Sequence, residues 1–186
     1  KAIFGIQESS RRLIKLVNDF LDLRKIEEGR MDYDFKTVNL ISLTKSVFEE
    51  FKAIGEQKGL SFSLKTEIKE INLKADEQKL RQVIQNLFDN AVKYTPKGEI
   101  KIKITRAKDA ALVEIKDTGL GIRREIIGTI FNQFNRDPKL KNILGTGLGL
   151  YIAREIVKAH RGKIWAESKG ENCGSAFYIE LPVDQS

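Results

Sequence analysis

Asn86-Leu87-Phe88-Asp89-Asn90-Ala91-Val92-Lys93-Tyr94 places two amides and an ammonium at positions i, i+4 and i+7. At roughly 100° per residue these positions overlap in projection. Asn86, Asn90 and Lys93 therefore form one polar stripe on a helix whose apolar face is Leu80, Val83, Ile84, Leu87, Phe88 and Ala91. Amide oxygens hold hard cations, amide N–H groups bind phosphate oxygens, and a lysine adds a point charge for an anion. Two readings follow: a solvated flank on a core helix, or the wall of a metal and anion site. In the second, Asn90 reads as nearest the apolar stripe and so best placed of the three to hold a metal ion in a partly enclosed pocket.

Toward the N-terminus, Asp76 is the expected cap of this helix and residues 71–75 form a short extended piece. Residues 60–66 alternate as a strand, residues 40–57 read as a helix capped by Asn39, and residues 32–38 read as a strand. Before them Ile6, Leu13 and Phe20 repeat at heptad spacing beside Leu16, Val17 and Leu23, which predicts a long helix over 1–29 ended by Gly29. That helix opens in mid-pattern without a capping signal, as the second half of a helical hairpin would. Its narrow seam predicts pairing with another helix of the same protein or of a second subunit.

Toward the C-terminus, Thr95-Pro96-Lys97-Gly98 breaks the central helix and a hairpin of strands over 99–105 and 111–117 follows. Asp117 falls on the same face as Ala111, Val113 and Ile115. A carboxylate on a core face is costly without a partner, so Asp117 is a candidate to meet a ligand's donor. Next come a short helix over 123–131, an irregular segment over 132–144, a helix opened by residues 145–150 and running to 160, and strands over 163–168 and 176–181. The pattern predicts a two-layer α/β sandwich, a mixed sheet covered on one face by helices and preceded by one long helix.

With 186 residues and 41% hydrophobic content, the chain supports one well-buried domain plus an appendage. Charged residues make up 32% and are intermixed in sign, so the net charge of +7 reads as a highly soluble surface. No concentrated basic run with interleaved aromatics points to nucleic acid. The single cysteine, Cys173, excludes an internal disulfide framework, reads as a small filler beside Gly174 and fits a reducing compartment. No His/Cys cluster suits zinc, and neither a transmembrane-length apolar run nor a signal-peptide pattern is present.

Gly145-Thr146-Gly147-Leu148-Gly149-Leu150 at a helix start would let backbone N–H groups approach an oxyanion at the positive dipole end, although such glycines also serve close packing. A dinucleotide fold would need a preceding strand, which residues 132–144 do not supply, and the Walker lysine is absent. Asp117-x-Gly119-x-Gly121-Ile122 sets an inward acceptor before a tight turn, which suits the exocyclic amino group of adenine. Metal ligation by Asp117 ranks lower, because no second inward carboxylate lies near it in sequence. Phe131 and Phe134 anchor a segment carrying Arg136, Lys139 and Lys141, which reads as a lid over a polyphosphate or as an ordinary exposed loop. His160, the one histidine, reads as a helix-end residue rather than a nucleophile.

Taken together and in this order, the Asn86 to Tyr94 stretch, the Asp117 motif, Phe131-x-x-Phe134, the run at 145–150 and the trailing Gly174-Ser175-Ala176-Phe177 resemble the catalytic, ATP-binding domain of sensor histidine kinases. That domain belongs to the superfamily shared with DNA gyrase, Hsp90 and MutL. The resemblance covers residues 31–183. Residues 21–29 resemble the second helix of a dimerisation and phosphotransfer domain, which divides the chain into 1–30 and 31–186.

The resemblance implies a Bergerat-type fold with ATP and Mg2+ as ligands. It implies Asn90 as the magnesium ligand, Asn86 and Lys93 at the phosphates, and Tyr94 near the nucleotide. Asp117 would accept from the adenine amino group, with Gly119, Gly121 and Ile122 shaping the base pocket. Arg136 would be the lid arginine near the terminal phosphate. Gly145, Thr146, Gly147, Leu148, Gly149 and Leu150 would form the lid's far hinge and the phosphate-facing helix start. As partners it implies a phosphoacceptor helix and a response regulator receiver domain, in a full-length protein that is a dimer, with this part cytoplasmic and any membrane anchor elsewhere.

Some positions depart from the family pattern. No histidine followed by an acidic residue precedes the catalytic part, and His160 matches a non-acceptor position, so the chain is expected to bind ATP without phosphorylating itself; the acidic neighbour of the acceptor is missing with it, and no residue here is named as the general base. Asn135 stands where an aromatic residue is usual, and Arg161 where glycine is usual, which would strain the turn after the helix. Two functions of different class follow: the catalytic fragment of a histidine kinase, or a nucleotide-responsive interaction module without phosphotransfer. A gyrase-like ATPase is disfavoured by the long N-terminal helix.

Overall fold

A computed structural model describes residues 2–135, 137–140 and 145–183. The two long internal helices begin where side-chain oxygens satisfy first-turn N–H groups that a helix itself leaves open. Asn39 Oδ1 accepts from Ile41 N–H at 3.0 Å and Ser42 N–H at 3.2 Å, starting α2, Leu40–Gln57. Asp76 Oδ1 accepts from Lys79 N–H at 3.0 Å, starting α3, Glu77–Tyr94. A long helix α1, Ala2–Glu27, precedes them. Strands β1, Lys36–Asn39, and β3, Asn72–Ala75, pair antiparallel as a separate ribbon.

The main sheet contains β2, Leu60–Lys65, β4, Gly98–Ala107, β5, Ala110–Asp117, β6, Lys163–Glu167, and β7, Ser175–Pro182. Their spatial order is β2-β4-β5-β7-β6, with β2 and β4 parallel and the other neighbours antiparallel. The register aligns Ile102, Ile115 and Phe177 in one row and Ile104, Val113 and Ile179 in the next, all buried. Lys101, Lys103 and Lys116 alternate with them and are exposed. One apolar face thus lies under α2, α3 and α5, Gly149–Ala159, while the other meets solvent. Leu80, Val83, Ile84, Leu87 and Phe88 of α3 are 0% exposed. Each such side chain contributes roughly 1.5–3 kcal/mol by leaving water. This is the expected two-layer sandwich.

Several expected elements differ in extent. The strand expected over 32–38 shortens to β1, because the residues before it turn onto the His160 ring. Tyr33 meets that ring edge-on at 5.8 Å and Phe35 packs tilted against it at 4.9 Å, and Asp34 N–H donates to Asp76 Oδ2 at 2.9 Å. The helix expected over 123–131 is only α4, Arg124–Ile127. Thr129 turns both its N–H and its hydroxyl back onto the Ile126 carbonyl and ends it. The helix expected from 145 begins at Gly149, since Gly147 takes φ +75° and the Thr146 hydroxyl accepts Leu148 N–H. In the segment expected to be irregular, Pro138–Leu140 forms a 3-10 turn. Cys173, expected as a filler, is exposed. Arg161 takes φ +57°, the left-handed conformation that favours glycine.

The heptad seam of α1 faces solvent: Leu13, Leu16, Val17 and Phe20 are 43–63% exposed, whereas Leu23 is buried. The side chain of Ile6 lies outside the described residues. Another face of α1 lies along α3, where Asp22 accepts from Lys79 Nζ at 3.0 Å and Gln82 Nε2 at 2.7 Å, and Lys15 pairs with Asp89 at 2.9 Å. Among the described residues no helix is long and apolar enough to cross a membrane.

His160 joins the far ends of α3 and α5. Asp76 N–H donates to its Nε2 at 3.0 Å, so that nitrogen is an acceptor, and Nδ1 carries the proton toward the Ile156 carbonyl at 2.8 Å. Only neutral imidazole satisfies both contacts, and burial holds its pKa below the ordinary histidine value of 6.5. With the folded value below the unfolded one, this contribution is complete above the unfolded pKa. It is lost as pH falls from there toward the depressed folded value. The urea midpoint is therefore expected to drop between about pH 7.5 and about pH 5.5. In His160→Gln that dependence should shrink, and an unchanged slope would assign it to another group.

Candidate functional site

The C-terminal half of α3 meets the start of α5. Asn86 is 5% exposed, and its Nδ2 donates to the Gly149 carbonyl at 3.1 Å. A Cβ on Gly149 would meet the Asn86 amide at 3.4 Å, an ordinary contact distance, so the two lie side by side. Asn90 and Lys93 are half-buried. Lys93 Nζ sits 5.2 Å from the Tyr94 ring centroid and 2.5 Å from where a Cβ on Gly145 would be. The polar stripe and the glycine run thus form one continuous wall. Asn86 is the most enclosed of the three, with the α5 backbone lying over it, whereas Asn90 and Lys93 keep part of their surface open. Leu148, preceding α5, gives no side-chain hydrogen bond to the first turn. That turn's N–H groups and the positive end of the dipole lie beside the same wall.

The Asp117 motif closes the opposite side. Asp117 is 3% exposed at the end of β5, in register with Ser175 of β7. Its Oδ1 accepts from Gly119 N–H at 2.8 Å and Ser175 N–H at 3.3 Å, and its Oδ2 from the Ser175 hydroxyl. Burial pushes the carboxyl pKa up, and these donors oppose that rise. One acceptor position on Oδ2 is left by this set. The Thr95 hydroxyl is buried beside the carboxylate, close enough to favour its charged form, yet has no well-aligned partner among the described residues.

The turn that follows is clamped from two directions. Leu120 N–H donates to the Tyr94 carbonyl at 2.9 Å, and Gly174 N–H to the Gly119 carbonyl at 3.1 Å. Ile122 N–H donates to the Ser168 hydroxyl at 3.0 Å. A Cβ on Gly121, which takes φ +69°, would overlap the Gly170 carbonyl oxygen. From the sequence, Thr95 and Ser168 had no site role, and Ser175 was named only within the trailing Gly174-Ser175-Ala176-Phe177 motif.

In the segment between the glycine motifs, Phe131 packs edge-on to Phe177 at 6.4 Å, while Phe134 is 61% exposed. Asn135 Nδ2 donates to the Thr129 carbonyl at 2.6 Å, tying down the position where an aromatic was expected. Lys139, expected to add positive charge to a lid, pairs with Glu171 at 2.9 Å, and Arg123 grips Asp137 through two 2.8 Å contacts. Arg136 and Lys141 lie outside the described residues. A shallow groove between α2 and β2, lined by Lys45, Phe48, Lys52 and Phe62 among others, includes none of the site residues.

Among the described residues no three His, Cys, Asp or Glu side chains converge on a metal position. Amides and a lysine along α3 do not make a complete coordination shell. They do fit a hard cation that is bound mainly through a ligand's phosphates, as Mg2+ commonly is.

Residues 75–185 match the family model described as histidine kinase-, DNA gyrase B-, and HSP90-like ATPase. The chain belongs to this family. Among the family's curated members, the sensor histidine kinase WalK of Bacillus subtilis is 31% identical over 184 residues, covering 96% of this chain and 30% of its own length. The chain spans 14–30% of the length of the first curated relatives it matches. Solved relatives include full-length ShkA in complex with AMPPNP, with a TM-score of 0.83 and 25% identity over 98% of this chain and 38% of that one. The catalytic domain of histidine kinase ThkA has a TM-score of 0.72 and 31% identity, covering 81% of this chain and 98% of that one. ThkA in complex with the response regulator TrrA has a TM-score of 0.72 and 27% identity, covering 92% and 49%. The fold is therefore the Bergerat-type sandwich of histidine kinase catalytic domains, preceded here by a long helix.

Proposed function

We propose that the chain is the catalytic part of a sensor histidine kinase, residues 31–186, joined to the second helix of its dimerisation and phosphotransfer domain, residues 1–30. In this reading it binds Mg-ATP and delivers the γ-phosphoryl group to a histidine carried on another helix. The observation that carries it is the wall formed where Asn86 bonds Gly149 and Lys93 lies against Gly145. This wall aligns amides, an ammonium and the uncapped start of α5 for a polyphosphate.

Asn86, Lys93 and the run from Gly145 to Leu150 would hold phosphates, Tyr94 would lie beside the nucleotide, and Asn90 would be the one protein ligand of Mg2+. The ion would supply charge neutralisation at the phosphates. Asp117 would accept one hydrogen of the adenine amino group, with Gly119, Gly121 and Ile122 shaping the pocket. Arg136 would reach the terminal phosphate from the lid. Transfer breaks the bond between the γ-phosphorus and the bridging oxygen and forms a P–N bond to the acceptor imidazole, with ADP leaving. This chain's residues contribute position and charge. ATP as substrate and a single free cysteine fit the cytoplasm, and a dimer and a response regulator receiver domain would be the partners of the whole protein.

Labelled ATP with a phosphotransfer domain from the same parent is expected to yield phosphohistidine. No transfer under any condition that frees the lid would sink the kinase reading. The exposed seam of α1 favours a second reading, a nucleotide-responsive interaction module, and the same transfer assay separates the two.

A further inference from the structure

The long helix α1 reaches the glycine run through one buried carboxylate. Asp19 is 4% exposed, and its Oδ2 lies 3.4 Å from the Thr146 hydroxyl. That hydroxyl already accepts Leu148 N–H at 3.0 Å, so its own hydrogen is directed to Asp19. Asp22 and Lys15 fix the same helix along α3, at Lys79, Gln82 and Asp89. Asp19 is thereby held at the start of α5 with Asp22 and Asp89 as like-charged neighbours and Lys15 as the opposing charge. Burial is the main influence raising its carboxyl pKa.

We propose that Asp19 is an affinity-setting latch: with α1 docked, its carboxylate engages Thr146 and sets a negative charge at the phosphate-facing start of α5, so α1 docking and nucleotide binding oppose each other. The latch rests on reading residues 145–150 as that phosphate-facing start. Because coupling between two binding events is reciprocal, nucleotide loosens α1, and any movement that withdraws α1 strengthens nucleotide binding. Asp19 acts through Thr146 and is a positioning residue. A helix bearing the signal could in this way set occupancy of the site without touching the nucleotide.

The test uses the whole chain and Mg-AMPPNP. Asp19→Asn keeps the shape and an acceptor for Thr146 but removes the charge. Its affinity is expected to rise roughly fivefold, the size of one like-charge interaction at an effective dielectric near 40 and about 8 Å. In the unaltered chain, saturating nucleotide should speed amide exchange over residues 13–26 several-fold, and Asp19→Asn should show a smaller change. Equal affinity of a folded Asp19→Asn, or α1 exchange unmoved by nucleotide in the unaltered chain, would overturn the latch alone. If the unaltered chain bound no nucleotide at all, the proposed function would fall and the latch with it.

Discussion

Asp117→Asn is expected to fold and to lose about 30- to 150-fold in nucleotide affinity, corresponding to about 2–3 kcal/mol. The fold survives because asparagine's carbonyl oxygen still accepts from Gly119 N–H and Ser175 N–H. Its amide nitrogen can donate to the Ser175 hydroxyl, which reverses its own role. Both backbone donors thus keep their acceptor. The position that remains on Oδ2 then changes from acceptor to donor and meets the adenine amino group as donor against donor. Titration calorimetry with Mg-ATP, alongside a melting curve, reads both parts. Unchanged affinity in a folded variant would remove Asp117 from base recognition.

Gly119→Ala should act on the fold and the site together. A Cβ there would overlap the Tyr94 carbonyl oxygen and press on the Thr95 hydroxyl. The Tyr94 carbonyl is also what Leu120 N–H bonds, so relief of the clash separates the end of α3 from the base-pocket turn. Overpacking of this kind costs about 1–3 kcal/mol, and displacement of the turn should abolish measurable nucleotide binding. Urea unfolding and nucleotide titration check the two effects. A variant with normal stability and normal affinity would mean that the turn yields without consequence.

Local chemistry made much of this molecule readable in advance. Asn39 and Asp76 marked the starts of α2 and α3 because capping needs only a side-chain oxygen next to the first turn. Alternation put Asp117 inward because a strand has a period of two. The misreadings share a cause, which is contact between segments distant in sequence. Asn86 is more enclosed than Asn90 because the start of α5, more than sixty residues away, packs on it and accepts its amide hydrogen. Residues 33–35 leave the strand for His160, and Lys139 is drawn to Glu171. Asp19 and Asp22 would pass as solvated charges on any helical wheel, yet both are buried by α1 lying on its own domain.

Amide hydrogen exchange of the chain with and without Mg-ATP tests the nucleotide site most directly. Protection is expected at Tyr94, over residues 119–122 and over residues 145–150, and it should be lost when Asn90 is replaced by aspartate. Protection confined to the groove between α2 and β2, or none at all, would contradict the assignment of the α3 wall as the polyphosphate site.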